Sequence, residues 1–255
     1  MNLNNLIYRI VNAKKQFASG DEDLIFSSID IPKHTLSLIS GDTGVGKTTL
    51  INILGLMDDF CFDSKDDDII FYPDSAPNPI GYQSLLSSQL DIIHDIRFKY
   101  MGFMFQQDHL IDSMSGWENV VLPYIIRNKK VCFEEAKNKA EQLFETYHFD
   151  DILEKKILDR SPATFSGGQK QRIALIRSLI HDPAVILADE PFASVNQKVI
   201  LDIKSVFIDL VKRKKISIIM VVHDTHLHYF DDVSTDIKYA VHLKKGNNSK
   251  IKAVL

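Results

Sequence analysis

The sequence contains little of several features that mark specialised protein classes. Only two cysteines, Cys61 and Cys132, occur in 255 residues, and no CxxC pair is present. This usage favours a reducing compartment over a disulfide framework or a zinc site. With 11 glycines and 8 prolines, the chain is neither collagen-like nor of low complexity.

The chain also lacks an excess of positive charge and long apolar segments. Its formal net charge is -4, so we expect no nucleic-acid partner. Apolar runs such as 218–222 fall far short of the roughly 18 residues of a membrane-spanning helix, and the first residues do not resemble a secretory signal. A composition of 45% hydrophobic and 25% charged residues predicts a globular cytoplasmic protein with a substantial core.

Strand-length apolar segments alternate with helical patterns through most of the chain. Residues 35–40 precede a helix that starts at about Gly46, residues 184–188 precede a helix after Val195, and residues 216–222 precede another. This alternation predicts an α/β fold in which a mostly parallel sheet is covered on both faces.

Two regions depart from this alternation in the first third of the sequence. Residues 6–11 and 24–31 read as short strands joined by the polar turn 19–23, which predicts a small antiparallel β flank. Residues 58–84 include a run of three aspartates and three prolines, which is typical of a surface excursion.

The pattern between about residues 108 and 164 is helical without strands. We interpret it as an inserted α-helical subdomain of a single domain, 1–255, whose core consists of about 1–107 and 165–255.

Residues 41–48 match the phosphate-binding pattern GxxxxGK[ST] between a predicted strand and a predicted helix. Glycines let backbone N–H groups point at phosphate oxygens, and the helix N-terminus adds positive potential. Lys47 would reach the outer phosphates, and the Thr48 hydroxyl would ligate Mg²⁺. The predicted phosphate-binding residues are Gly41, Asp42, Thr43, Gly44, Val45, Gly46, Lys47, Thr48 and Thr49.

Two carboxylates, Asp189 and Glu190, end an apolar strand. Ligands of open α/β sheets bind at the carboxyl ends of the strands, so both acids should face the nucleotide. Because adjacent side chains project to opposite sides of an extended chain, we expect Asp189 to face the Mg²⁺ shell and Glu190 the attacking water.

A third segment, Ser166-Gly167-Gly168-Gln169, precedes a predicted helix that runs to about Ile180. Ser166 stands in an N-cap position, and the bare amides of the glycines make a second anion-binding surface at the positive helix end.

These three segments, in this order and spacing, resemble an ABC-type ATPase, the nucleotide-binding subunit of an ATP-binding-cassette transporter. The resemblance covers nearly the whole chain and implies a P-loop NTPase core with the helical insert. Segments 51–56, 103–107 and 117–120 resemble the branch that contains the lipoprotein-releasing and macrolide-export ATPases.

The resemblance also implies a role for each motif. Residues 41–48 would be the Walker A loop, residues 166–169 the signature motif, and Asp189 with Glu190 the Walker B pair. Within Phe105-Gln106-Gln107, Gln106 would be the glutamine of the Q-loop, with Gln107 as the alternative by one position. The implied Mg²⁺ ligands are Thr48, Gln106 and Asp189.

Two further residues receive roles from the resemblance. His223 matches the switch histidine, which would donate to the γ-phosphate or the attacking water and act with Glu190 and Gln106 in catalysis. Phe17 stands where the family places an aromatic ring against adenine. Taken alone, an aromatic residue such as Phe17 is more often a packing residue.

The implied assembly contains more than one chain. Two copies would close head to tail around two ATP–Mg²⁺, each signature motif completing the site of the other copy. Separate transmembrane permease-type subunits would receive the motion at the cytoplasmic face of a bacterial inner membrane. Lipoprotein release, efflux and force transmission to a protein outside the membrane all stay open as the transport task.

Two departures from the family pattern support an alternative. Phe192 replaces a small or hydroxyl residue, and Asn196 replaces the aspartate of the D-loop, which removes a charge but keeps hydrogen-bonding capacity. The alternative is a catalytically impaired regulatory or scaffold subunit of the same fold. A GTPase or nucleoside kinase is disfavoured because residues 128–131 do not match the NKxD pattern of guanine-binding proteins. A zinc site at His223, His226 and His228 is disfavoured because the sequence contains no HExxH motif.

Overall fold

The structure is a computed structural model that describes residues 5–17, 22–88, 90–106, 109–193, 195–245 and 250–254. Its strands are β1 Leu6–Val11, β2 Ala13–Lys15, β3 Leu24–Phe26, β4 Ile29–Pro32, β5 Leu36–Gly41, β6 Asp68–Phe71, β7 Ile80–Gly81, β8 Met101–Met104, β9 Val185–Asp189, β10 Ser217–Val221, β11 Lys238–Lys245 and β12 Lys250–Val254. Its α-helices are α1 Lys47–Leu54, α2 Leu90–Tyr100, α3 Gly116–Arg127, α4 Phe133–Thr146, α5 Asp150–Glu154, α6 Gly167–Leu179, α7 Gln197–Asp209 and α8 Asp224–Leu227.

The strands form two sheets. The larger has the order β2-β3-β12-β11-β5-β10-β9-β8, and the smaller has the order β4-β1-β6-β7. Strands β11, β5, β10, β9 and β8 run parallel to one another, which confirms the predicted α/β fold with a mostly parallel sheet. The carboxyl ends of these strands therefore lie along one edge of the large sheet.

Strands β9 and β10, in the middle of the parallel part of the large sheet, are buried on both faces. Successive side chains of a strand point to opposite sides and so enter different cores. In β9, Leu187 belongs to the apolar core that includes α1 and the small sheet. Its neighbours Ile186 and Ala188 belong to a second core with α6, α7 and the helical segment. Helices α1 and α6 thus pack on opposite faces of the sheet.

The prediction of a single strand over residues 24–31 is wrong. Ser28 has a left-handed backbone (φ 56°), which divides this segment into β3 and β4. Strand β4 pairs with β1 in the small sheet, whereas β3 lies between β2 and β12 in the large sheet. The antiparallel flank is present, but its strands serve two sheets. Residues 19–21 of the predicted turn lie outside the described residues.

The segment 58–84 is more than a surface excursion, and that interpretation is corrected. Strand β6 pairs with β1, and β7 pairs with β6, so the segment supplies half of the small sheet. Tyr82 is fully buried, and its hydroxyl donates to the carbonyl oxygen of Leu54 at the end of α1. The Tyr8 hydroxyl donates to the same oxygen at 3.1 Å. Two tyrosines therefore satisfy a terminal carbonyl of α1.

Helices α3, α4 and α5 lie between β8 and α6, and no strand interrupts the described part of this segment. Helix α3 begins with a capping box in which Ser115 and Glu118 exchange hydrogen bonds. The division into a core and a helical subdomain stays a prediction. Among the described residues, no helix is both long and apolar enough to cross a bilayer.

Candidate functional site

The loop between β5 and α1 has the backbone that a phosphate cradle requires. Gly41, Gly44 and Gly46 have φ angles of 141°, 79° and 99°, a region that disfavours other residues. A Cβ at Gly41 would lie 2.6 Å from the carbonyl oxygen of Leu243 in the neighbouring strand β11. Local geometry and close packing therefore both demand glycine at the start of this loop.

Lys47 is the first residue of α1 and reaches back over the loop. Its Nζ donates to the carbonyl oxygens of Gly41 at 2.7 Å and Asp42 at 3.1 Å. The loop closes on itself through a hydrogen bond from the Val45 N–H to Asp42 at 3.2 Å. An ammonium thus lies beside the N-terminus of a helix, an arrangement that attracts anions.

The other predicted phosphate-binding residues differ in their exposure to solvent. Exposed positions are Asp42, Thr43, Gly44 and Thr48, whereas Val45 is buried and Thr49 is half-buried.

Asp189 ends β9 with its side chain buried beside α1. Its Oδ1 is buried and has no hydrogen-bond partner. Burial raises the pKa of its carboxyl, and the Glu190 charge adds to this, although a hydrogen bond from the Thr48 hydroxyl and the Lys47 ammonium act in the opposite direction. The structure therefore brings Asp189, Thr48 and Lys47 together at the start of α1.

Glu190 does not continue the extended strand. Its backbone is left-handed (φ 43°), and its N–H donates to the carbonyl oxygen of Val221 at 3.1 Å. The alternation of side chains along an extended chain, from which we expected Glu190 to point opposite to Asp189, therefore stops at Asp189. A turn held by β10 sets the direction of Glu190 instead. Such strain is typical of functional positions.

His223 follows β10 at the same sheet edge and is exposed. Its Nδ1 accepts a hydrogen bond from the Thr225 N–H at 3.3 Å and lies 2.9 Å from the Thr225 hydroxyl. From this network we assign the proton of the neutral ring to Nε2. The imidazole therefore keeps a donor for a ligand on its free side.

Gln106 follows β8 by two residues and is exposed. Because β8 pairs in parallel with β9, Gln106 lies at the same edge of the sheet as Asp189. The preceding Phe105 stacks on Phe103 with ring centroids 5.9 Å apart. The alternative Q-loop residue, Gln107, lies outside the described residues.

The signature segment forms the N-terminus of α6. The Ser166 hydroxyl accepts from the Gln169 N–H at 3.3 Å, and the Ser166 N–H donates to Gln169 Oε1 at 2.8 Å. A Cβ at Gly168 would lie 2.7 Å from Cγ2 of Val199, so this glycine permits α6 to pack on α7. Ser166 and Gly167 are exposed. This helix tip belongs to the opposite face of the sheet from α1.

Phe17 follows β2 and is half-buried against the core that contains α1. The Nζ of Lys15 lies 5.9 Å from the centroid of its ring. The Nζ of Lys15 also pairs with Asp58 at 2.6 Å, a contact that the sequence did not predict because it depends on the pairing of distant segments.

Both departures from the family pattern have structural explanations. Phe192 is 2% exposed and stacks on Phe230 with ring centroids 6.0 Å apart. Asn196 caps α7, because its Oδ1 accepts from the Val199 N–H at 3.1 Å. Ser194 of the same loop lies outside the described residues.

Comparison with known proteins gives consistent matches. The family model described as "ABC transporter" matches residues 26–193, more than half of the chain. The lipoprotein-releasing system ATP-binding protein LolD of Rickettsia conorii is 32% identical, over 93% of this chain and 97% of its own length. The macrolide export ATP-binding/permease protein MacB of Chlorobaculum tepidum is 32% identical. The matched region spans 88% of this chain and 31% of the length of MacB.

Solved structures match over the same extent. The dimeric structure of a post-hydrolysis state of an ATP-binding cassette bound to ADP and Pi is 25% identical, with a TM-score of 0.75 over 96% of both chains. A second dimeric structure of the same cassette, described as a bacterial ABC transporter cassette, is 26% identical, also with a TM-score of 0.75.

Proposed function

This chain belongs to the ABC transporter family, and we propose that two copies of it close head to tail around two ATP molecules and drive separate membrane subunits. The chain is an ABC-type ATPase. The observation that carries the finer proposal is that Lys47, Asp189 and Glu190 converge at one sheet edge while the signature tip lies on the other layer.

ATP binding follows from the cradle. The α1 N-terminus, the loop N–H groups and Lys47 supply positive potential for the β- and γ-phosphates. Phe17 offers an aromatic face for the adenine.

The residues beside the cradle also fit a magnesium ion. Asp189 has a buried oxygen without a partner next to the Thr48 hydroxyl, and hard oxygen donors of this type suit Mg²⁺. We assign Thr48, Asp189 and Gln106 to hold it. When bound, the ion supplies neutralisation of the phosphate charge.

The hydrolytic step needs a base and a donor at the γ-phosphate. The Glu190 carboxylate would accept the proton of the attacking water, aimed by its left-handed backbone and its hydrogen bond to Val221. The Nε2–H of His223 would donate to the γ-phosphate, where charge develops. Both groups end adjacent parallel strands, β9 and β10.

Dimerisation explains the position of the signature segment. Ser166 and Gly167 are exposed at the positive end of α6, on the layer opposite α1. A second copy turned head to tail would place this tip on the γ-phosphate bound by the first. Both similar solved structures, which are of one cassette, are described as dimeric.

The membrane subunits would dock beside the Q-loop. A groove of about 320 Å³ lies between α2, α3 and β8. Its lining includes the apolar side chains Phe103, Phe105 and Leu122 together with Arg97 and Arg177. Such a groove suits an amphipathic segment of a permease-type partner at the cytoplasmic membrane face. The names of the relatives favour lipoprotein release or efflux as the task.

An impaired scaffold is the weaker alternative. Phe192 fills the core and Asn196 caps a helix, so their identities reflect packing and capping and do not argue for lost catalysis. Lys47, Asp189, Glu190 and His223 are all present.

Replacing Glu190 by Gln tests the catalytic role. Because it removes one transition-state contact, we expect phosphate release by the chain, with its membrane partner, to fall by about 10²- to 10³-fold while ATP binding persists. ATP should also trap a dimer in size-exclusion chromatography. Glu134→Gln, at an exposed position of α4, is the matched control. Unchanged phosphate release in Glu190→Gln would refute the role.

A further inference from the structure

In the proposed ATP site, the aromatic ring that would stack on adenine and the loop that would bind the phosphates come from different parts of the chain. Phe17 follows β2, whereas the cradle joins β5 to α1. A nucleotide bridges both, so its affinity depends on how well their separation is fixed before it binds.

One ion pair connects the two parts. Lys15, in β2, has its Nζ 2.6 Å from Oδ1 of Asp58, which follows the end of α1. The two side chains are 12% and 30% exposed. The same oxygen of Asp58 accepts from the Asp59 N–H at 2.8 Å, which orients the carboxylate. A pair with this shielding and geometry holds its partners more firmly than a mobile surface pair.

The Lys15 ammonium also lies over the aromatic ring of Phe17. Its distance of 5.9 Å from the centroid of the Phe17 ring lies within cation–π range. Phe17 packs against the apolar core that includes α1. Lys15 therefore contacts both the aromatic ring and the segment that leaves the phosphate-binding helix.

We propose that Lys15 is a positioning residue for the nucleotide base and that, through Asp58, it fixes the Phe17 ring relative to the phosphate cradle. The inference rests on the proposed ATP site. Neighbouring Lys14 provides a matched control, because its Nζ pairs with Asp23 at 3.2 Å and Asp63 at 3.6 Å.

The test compares binding of ATP with binding of inorganic triphosphate, which lacks the base. We expect Lys15→Met to weaken ATP binding by about three- to tenfold, the range of an aromatic stacking contact, and to leave triphosphate binding unchanged. Lys14→Met should change neither affinity, and Lys15→Arg should restore most of the ATP affinity. The double variant Lys15→Met/Asp58→Asn removes the uncompensated carboxylate and should show the same selective loss.

Other outcomes overturn the inference in distinguishable ways. An equal loss of ATP and triphosphate affinity in the double variant would place the damage in the cradle. Unchanged ATP affinity in Lys15→Met, alongside a loss in Phe17→Ala, would refute the role of Lys15 but leave the proposed ATP site intact. Unchanged ATP affinity in Phe17→Ala would refute the stacking role itself, and the inference with it.

Discussion

Asp189 is a buried carboxyl whose proposed role as a metal ligand would cost stability. Its carboxyl is buried with one oxygen unpartnered, and burial raises its pKa despite the nearby Lys47 ammonium. Keeping Asp189 ionised at neutral pH therefore lowers the free energy of unfolding of the chain. A carboxyl group binds a metal ion only in its ionised form. Strained or poorly solvated groups of this kind are common at functional sites.

Asp189→Asn should be more stable than the wild type at pH 7.5, in the absence of nucleotide, and inactive in ATP hydrolysis. A carboxyl whose folded pKa is raised contributes stability below its ordinary pKa, and that contribution is lost as the pH rises through the folded pKa. The difference in the free energy of unfolding should therefore shrink towards pH 4. Urea denaturation at both values measures it, with the exposed Asp231→Asn as control. A less stable variant at pH 7.5 contradicts this account.

Between elements, a buried histidine joins the helical segment to the sheet. His181 follows α6, is 4% exposed, and its Nε2 lies 2.9 Å from the carbonyl oxygen of Met101 in β8. Arg127, the last residue of α3, donates to the carbonyl oxygen of His181. Burial lowers the pKa of His181 to about 4. The contact between α3, α6 and β8 thus depends on a neutral imidazole.

This contact should weaken in mild acid. A histidine with a lowered folded pKa contributes stability above its ordinary pKa, and the contribution is lost as the pH falls through the window from its ordinary value of 6.5 to about 4. The full loss is about 3 kcal/mol. Denaturant titrations across this window should give a steeper pH dependence for the wild type than for His181→Gln. Equal slopes would exclude His181 as the titrating group.

For the whole molecule, the proposed head-to-tail dimer would make one chain half of a site. The phosphate loop feeds α1 on one face of the large sheet, and the signature tip begins α6 on the other. In the proposed dimer, the phosphate loop and the signature tip of one chain serve different triphosphates. Head-to-tail closure of two copies would give two equivalent sites.

Complementation between two inactive variants tests this assembly. Gly167→Glu should fold, because an acid in the first turn of α6 favours the helix, yet repel the partner's ATP. Lys47→Ala should lack phosphate binding. Mixed, the two should regain about a quarter of the wild-type rate, since half of random dimers are heterodimers with one intact site of two.

Phosphate release by each variant alone and by the mixture measures the recovery. Gly167→Ala is the steric control and should stay active. A mixture no more active than its components would mean that each signature acts within its own chain.

Local sequence patterns were sufficient to predict the core of the fold and the elements that carry the motifs GxxxxGK[ST] and Asp189-Glu190. A GxxxxGK[ST] loop has a narrow range of backbone conformations, and alternating strands and helices leave few topologies. These patterns predict the parallel sheet and the helices that start at Lys47 and Gln197. They also predict that Thr48 and Asp189 face the same ligand, and the structure places the two side chains in contact.

Only the tertiary structure decided which distant segments meet. Residues 24–31 divide between two sheets, and β6 pairs with β1. Val221 holds the left-handed turn at Glu190, and Lys15 forms an ion pair with Asp58. Each of these contacts joins parts of the chain that no local pattern links. Their free energy comes from burial and hydrogen bonds that exist only after the layers have packed.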